Sequence, residues 1–349
     1  MTDTSLSILS PHQKEQIFEN MSDGIMTVDR DGNITYMNSA CEQIFDMTFS
    51  TLQNKSFEET FLTNRKNKVF NKLFFMTLKD SEPTPKTHVR YQMNGITKHL
   101  NVDISLVQKE ENRDDDLEFP GMIILFDDIT ERYHLRQHQH DCAYIFAGQI
   151  LCISLYLSLW SLLKFTLRLP LKTDFYTLMI EGMTFLLFLE ILFCTSLSMK
   201  DIGLIPNFGR IKKNLIETVG IAIAVCLSLV ILKLVLSLLG YQIKDYFIGG
   251  STEGAYTYLF TAFIQEFLAR GVIQTSVNSL MKVKYQKQFG VFLTSLLFAL
   301  MHLPFGFIFL VSAFLLSLIL GYLYERHGDL WGCAILHWSC GYLAMCLFF

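Results

Sequence analysis

The 349-residue chain reads as two domains of different solvent class: an α+β domain built on an antiparallel sheet, then an all-α polytopic transmembrane bundle of about seven spans. Three observations predict this. Up to about Arg136 the sequence is rich in Asp, Glu, Asn and Lys, with turn signals at short intervals. From Ala143 onward, long apolar runs are separated by short charged loops. The mean hydropathy of +0.31, with 51% hydrophobic residues, lies between a soluble and a membrane protein, as an average over two such halves must.

The first elements are strands. "GIMTVDRDGNITYMN" holds two alternating runs around Asp31-Gly32, a hairpin signal because glycine supplies the positive φ that a tight turn needs. "SACEQIFDMT" follows as a helix, and residues 59 to 78 are again helical, with Phe61, Leu62, Phe70, Leu73, Phe74 and Leu78 as candidate core positions. Next come "THVRYQM", an Asn94-Gly95 turn, the alternating "ITKHLNVDISLV", an acidic loop "KEENRDDDLE" and "GMIILFDDIT". Two strands, short helices and three further strands make the α+β sheet domain.

This order, with Asn38 after the second strand and the closing "FDDIT", resembles a PAS domain over residues 12–131. The resemblance implies a sensor or protein-interaction module, with pairing into a homodimer among its uses. It also implies that the Asp128–Thr130 triplet, with Asp128 and Thr130 as its polar members, couples the sheet to the departing helix. Residues 132–142, "ERYHLRQHQHDC" with its first Glu131, form a helical linker into the membrane. The reactive-cysteine motif of flavin-photoadduct PAS domains is absent, Cys41 being on the first helix after the hairpin. His88 and His99 offer haem ligands, but single histidines on strands read first as surface or core residues. His134, His138 and His140 read as a solvated juxtamembrane face, with metal binding or a pH response as the alternative. No residue identifies a ligand for this domain.

Residues 143–349 carry the spans. Ala143–Leu163, Phe175–Ser198, Thr218–Gly240, Ala255–Leu280, Phe289–Leu303, Pro304–Tyr324 and Trp331–Phe349 are the candidates. "MTDTSLSILSPHQKEQ" lacks the basic and apolar regions of a signal peptide, so the first domain is expected in the cytosol. Lys200, Arg210, Lys212, Lys213, Lys282, Lys284, Lys287 and Arg326 then fall inside, and Lys164, Arg168, Lys172 and Lys244 outside, in keeping with the positive-inside rule. The domain pairing suggests a bacterial inner membrane with a cytoplasmic PAS domain. The net charge of −4 gives no sign of nucleic-acid binding. The eight cysteines form no CxxC and read as small apolar fillers.

"QEFLARG", Gln265–Gly271, puts charge into a span where each ionised group costs about 2.5 to 3.5 kcal/mol at the bilayer centre. Glu266 and Arg270, four residues apart, share a helix face and can pair, while Gln265 is rotated by about 100° and borders that face. Phe298 and His302 repeat the spacing on the fifth segment, and His337 and Gly341 on the seventh. Glu266, His302 and His337 can therefore converge from three helices on one buried aqueous pocket. There a desolvated carboxylate can take a proton from water, with an imidazole polarising that water or donating to an oxyanion. A second chemistry is a divalent metal held by Glu266, His302 and His337 with one position open to water. No HExxH is present. A purely packing role for the pair and the histidines is the third reading, and Glu181 and Glu190, nine residues apart, read as bundle contacts.

"QEFLARG", "FALMH" and "HWSCG" occur in the order and approximate spacing of the three motifs of the CAAX-protease and bacteriocin-processing (CPBP) family of intramembrane proteases, and "SLSMKDIGLIP" ahead of the third span is similar to a family loop. The resemblance covers about residues 145 to 349. It implies endopeptidase activity on a membrane-associated peptide or protein, with Glu266 and Arg270 matching the second Glu and the Arg of the first motif, and His302 and His337 matching the histidines of the second and third. Two positions depart from the pattern: Gln265 stands where the family has its first Glu, and Gly341 where it has the closing Asn. A glutamine accepts no proton at neutral pH, so either Glu266 has taken over the base's role or the bundle is a catalytically silent membrane scaffold.

Overall fold

The computed structural model describes residues 10–80, 83–107, 121–170, 172–241, 252–281 and 283–348. The acidic loop, Lys244, Lys282, Phe349 and the side chain of Leu78 lie outside what is described. The chain divides into two compact units, Met1–Leu135 and Arg136–Phe349.

In the first unit, helix α1 (Pro11–Glu19) starts at a capping box in which Ser10 and Gln13 satisfy each other's backbone N–H. Strands β1 (Gly24–Val28) and β2 (Ile34–Met37) form the expected hairpin, followed by helices α2 (Ser39–Phe45), α3 (Phe49–Leu52) and α4 (Lys68–Asp80), then β3 (Thr84–Met93), β4 (Ile96–Leu106) and β5 (Met122–Asp128). The sheet is antiparallel with order β2-β1-β5-β4-β3. Met93 pairs with Ile96 across Asn94 and Gly95, whose φ values of 49° and 81° make the two-residue turn that matches strand twist.

Asn38 ties this unit together. It is fully buried: its Oδ1 accepts from the N–H groups of Cys41 (3.0 Å) and Ile25 (2.8 Å), and its Nδ2 donates to the carbonyls of Phe18 (2.8 Å) and Asp23 (3.0 Å). One side chain thus caps α2 and pins α1 and β1 to it.

The sheet buries alternate residues, Leu100, Val102 and Ile104 on β4 and Met122, Ile124 and Phe126 on β5, as a half-buried strand must. Against them pack Phe45, Phe61, Phe70, Phe74 and Tyr91, with Phe45 edge-on to both Phe61 and Phe126 at 4.9 Å between centroids. Of the candidate core positions, Phe61, Leu62, Phe70 and Phe74 are buried, and Leu73 packs partly buried against them.

Helix α5 (Thr130–Ser161) begins directly after β5. Thr130 Oγ1 accepts from the N–H of His99 on β4 (2.9 Å) and donates to Asp128, which also receives the Thr130 N–H (3.0 Å) and an ion pair from Lys98 (3.3 Å). The triplet is thus bonded to the sheet at the start of the departing helix. His99 stacks on Tyr133 (3.7 Å between centroids) and meets His88 at 3.1 Å, which makes it a packed histidine of the sheet's other face.

In the second unit, α5 and a π-helical turn at Leu162–Thr166 are followed by α6 (Thr173–Cys194), α7 (Ile211–Leu238), α8 (Thr252–Glu266), a π-helical stretch at Phe267–Gln274, α9 (Thr275–Leu280), α10 (Gln286–Met301), α11 (Phe307–His327) and α12 (Trp331–Phe348). Among the described residues, five helical segments are long and apolar enough to cross a membrane: Thr130–Thr166, Phe175–Cys194, Ile211–Leu238, Phe307–His327 and Trp331–Phe348. The other two expected spans differ. Ala255–Leu280 changes helical register at Phe267, and α10 has only 16 residues because Pro304 cannot continue it. α12 packs against α7, α8 and α11, and α10 against α11. Glu181 accepts from Thr261 (2.8 Å) and Glu190 lies against Gly148, so both make contacts between helices.

Candidate active site

The charged pair of "QEFLARG" is buried within the second unit. Glu266 ends α8 and is followed by eight residues of π-helix that are buried throughout, a wider helical form found often at functional sites. Thr275 closes the stretch by donating both its backbone N–H and its hydroxyl (3.0 Å) to the Arg270 carbonyl five residues back. Glu266 and Arg270 are both 0% exposed and form an ion pair, Arg270 Nε to Glu266 Oε2, at 3.0 Å.

A buried charge is tolerated when it is paired and hydrogen-bonded. Arg270 uses four of its five N–H donors: besides Nε on Glu266, Nη1 donates to Gln274 Oε1 (3.0 Å), and Nη2 donates to the carbonyl (2.9 Å) and the hydroxyl (2.6 Å) of Ser317 on α11. Gln274 passes the contact on, donating to the Gly321 carbonyl (3.1 Å) and to Glu325 (2.8 Å). Glu325 also accepts from Asn278 and pairs with the exposed Lys287 at 3.5 Å. Sequence reasoning stopped at Arg270. The signal it passed over is the repeat Glu266, Arg270, Gln274, Asn278, one polar residue every four, of which the last two are uncharged.

On the other side, Glu266 Oε1 accepts from His337 Nδ1 at 2.8 Å. Both carboxylate oxygens are therefore engaged. With Nδ1 donating, the neutral His337 ring presents Nε2 as an acceptor. His302 is the residue that closes α10, and its Nδ1 donates to the Phe298 carbonyl (2.8 Å), so its Nε2 is likewise an acceptor. The buried Phe298 ring lies between the two imidazoles, 4.6 Å from His302 and 5.8 Å from His337 between centroids.

The expected site residues are thus brought together as a pair and a neighbour: Glu266 and His337 in contact, His302 across Phe298, and Gln265 buried with no hydrogen-bond partner among the described residues. Among the described residues, no three His, Cys, Asp or Glu side chains form a group that could hold a metal ion. Gly341, one turn beyond His337, faces the Tyr258 hydroxyl.

Comparison with known proteins finds a matching segment in each half. Residues 251–343 match the family model for type II CAAX prenyl endopeptidase Rce1-like proteins, and residues 12–73 match a PAS domain model. The chain carries a PAS domain followed by an Rce1-like CAAX protease family domain in a membrane protein. No curated protein matches the chain. Among solved structures it is similar to the PAS domain of a Colwellia psychrerythraea protein, at 13% identity, with 34% of this chain and 97% of that chain covered and a TM-score of 0.28. The PAS domain of nitrogen regulation protein NR(II) from Vibrio parahaemolyticus is 16% identical, with 35% and 100% covered and a TM-score of 0.27. That of an HTR-like protein from Haloarcula marismortui is 22% identical, with 34% and 90% covered and a TM-score of 0.26.

Proposed function

We propose that the chain is a PAS-regulated intramembrane endopeptidase that hydrolyses a peptide bond of a membrane-associated peptide or protein. The observation that carries this is the Arg270-Glu266-His337 chain: a buried carboxyl group, bonded to a guanidinium on one oxygen, orients through the other an imidazole whose far nitrogen faces away from it as an acceptor. Glu266 is fully buried and both its oxygens are bonded, which suits a positioning residue better than the water-activating base that its place in the sequence suggests. His337 Nε2 then takes a proton from water as the oxygen attacks the carbonyl carbon. The resulting imidazolium is stabilised by Glu266 and returns the proton to the leaving amine. His302, in the same tautomer, accepts a hydrogen bond from the water or from the substrate N–H. Gln265, without a proton to exchange, binds substrate through its amide.

In this reading the PAS domain spans 12–131, residues 132–142 link it to the protease domain at 143–349, and the membrane is a bacterial inner membrane with the PAS domain in the cytoplasm. The Asp128 and Thr130 contacts with β4 give a route by which a change in the sheet alters the start of α5, and pairing of PAS domains is a further means of control. A scaffold without proteolysis is the rival, favoured by Gln265 and Gly341. The test compares new protein termini in membranes of cells making wild type, Glu266→Ala, His302→Ala or His337→Ala at equal level. Fragments seen with wild type and lost in all three variants support the protease; identical termini throughout support the scaffold.

A further inference from the structure

Gly341 is the position at which the third motif lacks its amide side chain. The space there is filled. A Cβ placed on Gly341 would overlap the Tyr258 hydroxyl oxygen and lie 3.0 Å from its ring carbon Cζ, closer than atoms can pack. The Tyr258 ring stands edge-on to His337, with centroids 6.0 Å apart and planes at 81°. Tyr258 belongs to α8, whose start is fixed to α12 by a hydrogen bond from Trp338 Nε1 to the Ala255 carbonyl at 2.9 Å. The hydroxyl makes no hydrogen bond to any described residue. In this packing an asparagine at 341 and a tyrosine at 258 exclude each other.

We propose that Tyr258 supplies the hydrogen-bond donor that Gly341 does not, and that the two residues are one exchange: losing the side chain at 341 admits a phenol to the same place. This rests on the endopeptidase reading. As water's oxygen bonds to the substrate carbonyl carbon, the carbonyl π electrons move onto its oxygen. Tyr258 O–H donates to that oxyanion and keeps its proton. When the C–N bond breaks the electrons return to re-form C=O, and the amine leaves with the proton carried by His337. A tyrosine carries its one O–H donor on a rigid ring with only two rotatable side-chain bonds, so it serves as an oxyanion donor at a small entropy cost.

The experiment follows fragment accumulation over time in membranes of cells producing the full chain as wild type, Tyr258→Phe, Tyr258→Leu, Gly341→Asn or Tyr258→Leu/Gly341→Asn, with His337→Ala as the inactive reference. Abundance and thermal unfolding in detergent are recorded for each. Tyr258→Phe, which removes one oxygen and keeps the ring, is expected to slow cleavage by about ten- to a hundredfold at unchanged thermal stability. Gly341→Asn alone should fail through its clash with the phenol, and combining it with Tyr258→Leu should restore cleavage severalfold over Tyr258→Leu alone. Wild-type rates from Tyr258→Phe, or no rescue in the double variant, overturn the proposal while the protease reading stands. Absence of any fragment that depends on His337 overturns both.

Discussion

The cores of the two units are opposites in composition. That of the PAS unit is aromatic and aliphatic, with polar side chains used where strands pass into helices, Asn38 between β2 and α2 and Thr130 between β5 and α5. At the centre of the membrane unit are a glutamate, an arginine, a glutamine and a histidine, all buried, and much of the apolar surface faces outward, along α7 for instance. In water, burial of apolar area stabilises a fold, so charges are kept at the rim. In lipid the outside is as apolar as the inside, and what distinguishes one packing from another is whether each polar group finds its partner.

Substitutions in each core test the contrast. The largest effect is expected from Arg270→Met, which fills much of the same space with apolar atoms but removes the cation paired with the buried Glu266 and strips the donor from Ser317 and Gln274; about 5 kcal/mol should be lost in unfolding of the purified full chain. Replacing both charges, Glu266→Gln with Arg270→Met, should recover part of that loss, and a double variant no better than Arg270→Met would break the reading of the core as an electrostatic match. In the PAS unit the reverse holds. Phe126→Ala removes a fully buried ring from between Phe45 and Phe70 and should cost about 4 kcal/mol through the cavity it leaves, measured by limited proteolysis of the full chain in rising urea.

The smallest effect is a pH dependence confined to the PAS unit. Burial holds the His99 imidazole below its ordinary range, and the neighbouring His88, His134 and Arg90 charges add to this against a weaker pull from Asp128. The unfolded chain then binds more protons than the folded one as pH drops. The His99 contribution is fully present above about 6.5 and is lost as pH falls from there through the folded value. Urea midpoints of the PAS unit should decline between pH 7.5 and 5.5 in wild type and decline less in His99→Phe; equal slopes would show that the stack on Tyr133 tolerates the charge.

Much of the fold could be read from residues because local rules are strong where they act. Alternation in "ITKHLNVDISLV" matches the burial of Leu100, Val102 and Ile104, Asn94-Gly95 matches the two-residue turn, and the Asp128–Thr130 triplet marks the passage from β5 into α5. The pairing of Glu266 with Arg270 also followed from their spacing, since one helix face is a local property.

Element type, domain order and the residues with a chemical reason to matter are thus legible along the chain. Which oxygen meets which nitrogen is a matter of how the helices pack. Arg270 finds Ser317 forty-seven residues away, Glu266 gives its second oxygen to His337 on another helix, His302 closes a helix instead of lying within it, and the hydroxyl of Tyr258 stands where Gly341 leaves room. Spacing along a chain fixes direction around one helix but says nothing of the distance between two, and the roles of these groups depend on that distance.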